Sequence, residues 1–359
     1  MSEISRRDFL KGTIGLGAAA SLPFIFVRSS PAAWAPATRV HPNIDDLRVV
    51  GLTDPKMTKE IQTRINWAAQ ERLVEADVVA ADMDKLACAL AKVKEPAEAW
   101  KAVFVKPPKK SWAETVVAIK TNHIHLQHTH SPVMAKMCRV FTDVLGVKGA
   151  NVHIYDACHG RNIAKDTPFA GLPEGCRIEG QWGGSTVPTP VGEPYSGKTA
   201  RCVEALTDAS VDILVNIALC KGHGGQFGRF TMAMKNHLGT FEPGPAHREG
   251  VDYLVGINRT PEILGPMDKK TGKVLYPRQQ LCLIDAIWAS DPGPGGHPTH
   301  QPNFLAMGVL APVVDYVLAT RFRSEKMGWR LNAEATTRML TSFGYKAEDL
   351  PEGGKIIPA

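Results

Sequence analysis

Two hydrophobic periods divide this chain. From residue 56 to residue 100, apolar side chains recur at steps of three and four: Ile61, Ile65, Ala68, Ala69 and Leu73, then Met83, Leu86, Leu90 and Val93. That spacing lines one face of a helix. It predicts a helical N-terminal subdomain over residues 38–110. Residues 38–55 read as irregular, punctuated by Pro42 and Pro55, and Pro107 and Pro108 close the segment.

Beyond residue 110 the period changes. Residues 115–119 form a β-branched run read as a buried strand, and a second strand is expected at 151–155. Between them Ser131 and Pro132 suit a helix start, and Val133, Met137, Val140, Phe141, Val144 and Leu145 share one face up to Gly146. Strand, helix and strand in that order make a right-handed βαβ crossover. Residues 211–219 are apolar almost throughout, as in a strand covered on both faces. A helix is expected near 230–238, a fourth strand at 280–284, and a further helix at 304–318 kinked or divided by Pro312. Residues 160–198, rich in Gly and Pro, read as a long irregular insertion. The fold class expected is α/β: a largely parallel sheet with flanking helices over residues 111–325, and a C-terminal helix and tail over 326–359. The chain contains no internal repeat.

The first 37 residues follow neither period. Arg6 and Arg7, then Asp8, Phe9, Leu10 and Lys11, precede an apolar run that ends at Arg28. A paired arginine ahead of such a run reads as a twin-arginine export signal. The run contains Gly12, Gly15, Gly17 and Pro23 and falls short of the roughly 20 apolar residues of a spanning helix. Ala35 and Ala37 suit cleavage after Ala37, which makes 1–37 a signal peptide and the destination the periplasm. A retained leader would instead anchor the protein to the membrane. The route carries folded proteins, so the partner during export is the twin-arginine translocase.

Cleavage leaves about 320 residues, enough for a substantial core. The formal charge of +6 is partly leader, and the remaining basic residues are scattered without aromatic interleaving, which argues against nucleic acid as a partner. The seven cysteines, at 88, 138, 158, 176, 202, 220 and 282, form no C-x-x-C pair. That excludes a ferredoxin-type cluster motif and a thioredoxin-like dithiol. Cys138 and Cys220 lie in apolar stretches and read as small buried hydrophobes. Spacing sets no disulfide connectivity.

Polar residues gather just after the strands: Lys120 and Asn122, Asp156 and His159, Lys221 and His223, then Asp285. In open α/β sheets ligands bind at the carboxyl ends of strands, so these four ends predict one convergent site. The densest feature is His123, His125, His128 and His130. If the strand continues, His123 and His125 share a face, and a turn would bring His128 or His130 to join them. With Asp156 and His159 they offer ligands for iron, zinc or copper, although no fixed-spacing metal motif occurs. Otherwise they are solvated or bonded to carbonyls. Lys221 in its Gly-rich turn, and Lys235 with Asn236 and His237, suit a phosphate or carboxylate. No P-loop, dinucleotide fingerprint or nucleophile elbow is present.

At these residues the sequence resembles a known family, domain of unknown function 362. The segments that carry the resemblance are VAIKTN (117–122), VDILVNIALCKGH (211–223), TMAMKNHLG (231–239) and LIDAI (283–287). APVVDYV (311–317) resembles a late family element with alanine replacing its first aspartate. The resemblance implies a polar signature of Lys120, Asn122, Asn216, Lys221, His223, Lys235, Asn236, Asp285 and Asp315, with His247 as a further histidine. Many members carry a ferredoxin segment that this chain lacks.

Together these readings lead to an exported enzyme, redox-linked or metal-assisted, acting on a small anionic molecule. Lys120, Lys221 and Lys235 would hold the anion. Asp156, Asp285 and one of His125, His159 and His223 would bind a metal or move protons. Lys120, Lys221, Lys235 and Asp285 are the catalytic candidates. Asn122, His223, Asn236, Asn216 and Asp315 are the ligand-binding ones, and His123, His125, Asp156 and His159 the metal ones. A periplasmic redox partner would fit this reading. The alternative is a non-catalytic metal or cofactor carrier, or an assembly protein for an exported oxidoreductase.

Overall fold

In the computed structural model the described residues are 41–359, without 45, 158–162, 181–185, 209 and 269. The leader, Cys158 and His159 lie outside them. Eight strands form one sheet: β1 (Val49–Thr53), β2 (Val117–Lys120), β3 (Val152–Tyr155), β4 (Arg177–Glu179), β5 (Ile213–Leu219), β6 (Gln279–Ala286), β7 (Phe304–Gly308) and β8 (Ile356–Pro358). Their order is β8-β1-β7-β6-β5-β2-β3-β4. Neighbours run parallel except at β7, which is antiparallel to both β1 and β6. The α/β class with a mostly parallel sheet therefore holds.

Every residue of β5 is buried, and alternation along the strands sends side chains into two separate cores. Val117, Ile119, Val215, Ile217, Leu281 and Leu283 face one layer. It contains α1 (Trp67–Leu73), α2 (Ala76–Ala91), α3 (Pro96–Val103) and α4 (Ser131–Arg139). Ala118, Leu214, Ala218, Cys282 and Ile284 face the other. There lie α5 (Ala233–Asn236), α6 (Val251–Asn258), α7 (Ala311–Val317) and α8 (Ala333–Thr341). The helices foreseen from the 56–100 pattern therefore pack Val79, Met83, Leu86 and Trp100 into the core shared with the sheet.

Four local expectations are corrected. Residues 49–53 are a strand, held between β7 and β8, where irregular chain was expected. Residues 304–318 are a strand followed by a helix: β7 is apolar on both faces because both are covered, and Pro312 sits in the first turn of α7, where its missing N–H costs nothing. The insertion contributes the edge strand β4 and a hairpin of Thr186–Pro190 with Thr199–Val203. The helix expected at 230–238 shrinks to the single turn of α5 and a following tight turn, because Phe230 and Thr231 pair instead with Lys221 and Gly222.

Candidate functional site

β2 and β5 carry polar residues where a strand would otherwise be apolar, and each finds partners on one buried path. Asn216, in mid-strand, donates through Nδ2 to the carbonyl of Ala233 (2.9 Å) and to Oε1 of Gln279 (3.1 Å). Its Oδ1 accepts from Nδ2 of Asn236 (2.8 Å), which also donates to the carbonyl of Ile217 (3.1 Å). Oδ1 of Asn236 accepts from Nδ2 of Asn122 (2.8 Å) and from Nζ of Lys120 (3.3 Å). Oδ1 of Asn122 in turn accepts from Nζ of Lys221 (2.6 Å). Lys120 also donates to the carbonyl of Thr121 (2.6 Å) and pairs with Asp156 (3.1 Å), whose carboxylate takes the His123 N–H (2.9 Å). Lys120 and Lys221 are 1% and 0% exposed, so their charges are carried by this network and not by water.

Two features of the TMAMKNHLG segment make the path possible. The N-terminus of α5 rests on Asp315, which accepts from the Ala233 and Met234 N–H groups (2.7 and 2.9 Å). Complete burial raises that carboxyl to about 7 against the lowering effect of those two bonds. Asp315 thus lies behind the helix that presents Lys235 and Asn236. Gly239 closes the segment against the ion pair: a Cβ there would stand 2.0 Å from Asp156 Oδ1 and 2.7 Å from Lys120 Cε. Gly239→Ala is therefore expected to cost about 2–3 kcal/mol by overpacking, read as a lowered urea midpoint. Gly244→Ala, where a Cβ meets nothing within 4 Å, should leave the midpoint in place. Equal midpoints would refute the steric reading.

A cationic cluster flanks the network. Lys221 and Gly222 pair with Phe230 and Thr231, and a Cβ on Gly222 would stand 1.5 Å from the Asp291 carbonyl oxygen, so only glycine fits. His223 follows, its Nδ1 accepting the Gly224 N–H (2.8 Å). Burial, then the electrostatic influence of Lys235, His247 and Lys221, depresses His223 to about 3. The imidazole is neutral at pH 7, and with Nδ1 accepting, its proton resides on Nε2. The His223 ring meets Phe227 edge-on at 4.6 Å and His247 at 6.2 Å, while Lys235 Nζ lies 5.0 Å from the Phe227 ring centre. His247 is exposed, so the cluster reaches solvent there.

Asp285 lies elsewhere. On β6 it takes the parity of Leu281 and Leu283, across the sheet from Lys120 and Asn216, and accepts both the His130 N–H (2.9 Å) and His130 Nδ1 (2.8 Å). Nε2 of that imidazole lies 3.0 Å from Gln70 Oε1. Burial alone would lower His130, but the Asp285 carboxylate, and then Glu71, outweigh it and hold it raised. A small cavity beside it is lined by Gln70, Gln127, His128, His130, Leu219, Trp288 and Pro298. Lys120, Asn122, Asn216, Lys221 and Asn236 therefore come together with Asp156, and His223 and Lys235 adjoin them, while Asp285 faces the opposite layer. Gln279, Gly239 and the His130–Asp285 pair escaped sequence reasoning, which has no signal for a contact across a sheet.

The histidine run is a tight hairpin: His123 and Ile124 pair with Gln127 and His128. His125 occupies the turn with φ +54°, so His123 and His125 do not share a strand face as expected. His123 instead stands opposite His128, with ring centres 4.3 Å apart, and Nδ1 of His128 bonds Thr167 (2.9 Å). Among the described residues no group of three or more His, Cys, Asp or Glu side chains is arranged to hold a metal ion.

A family model described as Domain of unknown function (DUF362) matches residues 117–320, from β2 to just beyond α7. The chain belongs to this family. The match covers every member of the Lys120–Lys221 network. A second model, the twin-arginine translocation pathway signal sequence, matches residues 3–23. The protein is therefore handled by the twin-arginine translocase and exported to the periplasm. No helix among the described residues is long and apolar enough to cross a membrane. No curated protein and no solved structure matches the chain.

Proposed function

We propose that this family member is a periplasmic enzyme that binds a small anion, carboxylate or phosphate, between Lys221, Lys235, His223 and His247. The observation that carries the reading is the environment of His223, an imidazole lowered to about 3 first by burial and then by Lys235, His247 and Lys221. Burial acts against charge of either sign, but the lysine ammonium groups that add to the shift are the ones that favour an anion. Lys221 and Lys235 would supply charge, and the neutral His223, protonated at Nε2, would donate to the anion or pass a proton to it. The Asn236–Asn122 chain holds Lys221 in place, and Lys120 is tied to Asp156.

Calorimetric titration with inorganic phosphate and with succinate tests the binding. At least one should bind, with Kd weakened about tenfold or more in Lys235→Ala, the loss of one charge-assisted contact. Bound anion should also raise the His223 titration followed by NMR. Affinity unchanged in both Lys235→Ala and Lys221→Met, with no movement of His223, would remove the proposal. Incubation of a cellular metabolite extract with wild type and with His223→Asn separates an enzyme from a carrier. Consumption of an acid by the wild type alone supports catalysis, and binding without consumption supports carriage.

A further inference from the structure

Cys138 lies on α4, fully buried, and Cys176 lies half-buried just before β4 in the same core layer. The two thiols are free and neighbour one another, each being the largest influence on the other's titration. These residues are far apart in sequence and on different elements, so their meeting is a property of the fold. The twin-arginine route delivers a folded chain from a reducing to an oxidising compartment. From the sequence Cys138 reads as an inert buried hydrophobe; its neighbour changes that.

We propose that Cys138 and Cys176 form a disulfide after export, closing the segment from 139 to 175 onto α4. Oxidation would draw the two sulfurs from neighbouring positions to an S–S distance of about 2.05 Å. The segment so closed carries Asp166 and Thr167, which meet His123 (3.8 Å) and His128 (2.9 Å). The bond would therefore fix the wall beside the histidine hairpin and the end of β3.

The chemistry has a direction. The neighbouring Cys138 lowers the Cys176 thiol, while Cys176 and burial raise Cys138. Cys176, the half-exposed partner, is then the thiolate that attacks. It opens the disulfide of a periplasmic thiol oxidant, forming a mixed disulfide and expelling one oxidant thiolate. Cys138 then gives up its proton and attacks the Cys176 sulfur, expelling the second oxidant thiolate. Two electrons and two protons pass to the oxidant, which leaves as a dithiol.

The test uses full-length protein recovered from the periplasm, blocked with N-ethylmaleimide and digested without reductant. The expected product is a peptide pair joined through Cys138 and Cys176, absent from Cys176→Ser. It should also be absent from an Arg6→Lys/Arg7→Lys variant retained in the cytoplasm, where both thiols take maleimide. Reductant should lower the melting temperature of the wild type and not that of the Cys138→Ser/Cys176→Ser protein. Maleimide on both cysteines of the periplasmic protein, or Cys158 joined to either of them, would overturn the assignment.

Discussion

Replacing Asn236 by alanine should cost about 3–5 kcal/mol of folding free energy, a large share of the roughly 5–15 kcal/mol available to a typical domain. The reason is where the amide sits. Its Oδ1 takes Nδ2 of Asn122 and Nζ of Lys120, and its Nδ2 gives to Oδ1 of Asn216 and to the Ile217 carbonyl. Asn216 and Asn236 are 0% and 2% exposed, so water cannot replace the lost partner without opening the sheet end. Truncation strips the Asn122 amide and the Asn216 carbonyl of these bonds together, each at about 1–3 kcal/mol. It also loosens Lys221, which is held through Asn122. Urea unfolding measures the loss directly. Because the export route carries folded chains, the periplasmic yield should fall with it. A midpoint shift worth under about 1 kcal/mol would mean that the path is an assembly of independent pairs and not a network. Asn236→Asp sharpens the comparison: it keeps the size and the acceptor toward Asn122, but sets a carboxylate oxygen against Oδ1 of Asn216.

That amide illustrates what the chain reveals before it folds. The strands at 117–120, 152–155 and 213–219 were legible because their side chains are mostly apolar on both faces and Lys120, Asp156 and Lys221 stand at or just beyond their ends. Lys120, Asn122 and Lys221 were legible as a set because strand ends of a parallel sheet share one edge, whereas Asn216, in mid-strand, entered through the family resemblance and Asn236 through its helix. The partition between faces was not. Asp285 follows its strand in the same way as Lys120, yet a parity of one residue sends it to the opposite layer and to His130. β7 was hidden for the same physical reason: an all-apolar run has no period, and only its neighbours on both sides decide that it is extended. The histidine run misled through its turn, since the positive φ of His125 reverses the chain after two residues and re-pairs His123 with His128.

Lowering the pH from 7 to 5 should destabilise the protein, and buried imidazoles account for the direction. His237 is completely buried and depressed to about 3, against 6.5 in its unperturbed state. Between those values the unfolded chain holds the extra proton. The contribution of His237 is therefore full above 6.5 and is lost as pH falls toward 3, by about 2 kcal/mol at pH 5. Burial acts in the same sense on His128, which falls to about 4, on His223, which falls to about 3, and on His153. Asp315 opposes them: raised to about 7 by burial, it takes up its proton first in the folded state and adds stability as pH falls from 7 toward 3.8. Glu71 and Asp82, also raised by burial, oppose them too, as does His130, which Asp285 holds raised. The large depressions of His128, His223 and His237 outweigh these groups, so the urea midpoint should decline with acidification. His237→Gln should make the decline shallower whatever its stability at pH 7, and Asp315→Asn should make it steeper. A midpoint that is flat or rising from pH 7 to 5, or slopes that neither substitution changes, would contradict the neutral state assigned to these imidazoles. The same measurement with phosphate or succinate present bears on function. An anion between Lys221 and Lys235 removes part of the charge that keeps His223 neutral, so binding should raise that imidazole and flatten the acid limb in wild type but not in Lys235→Ala.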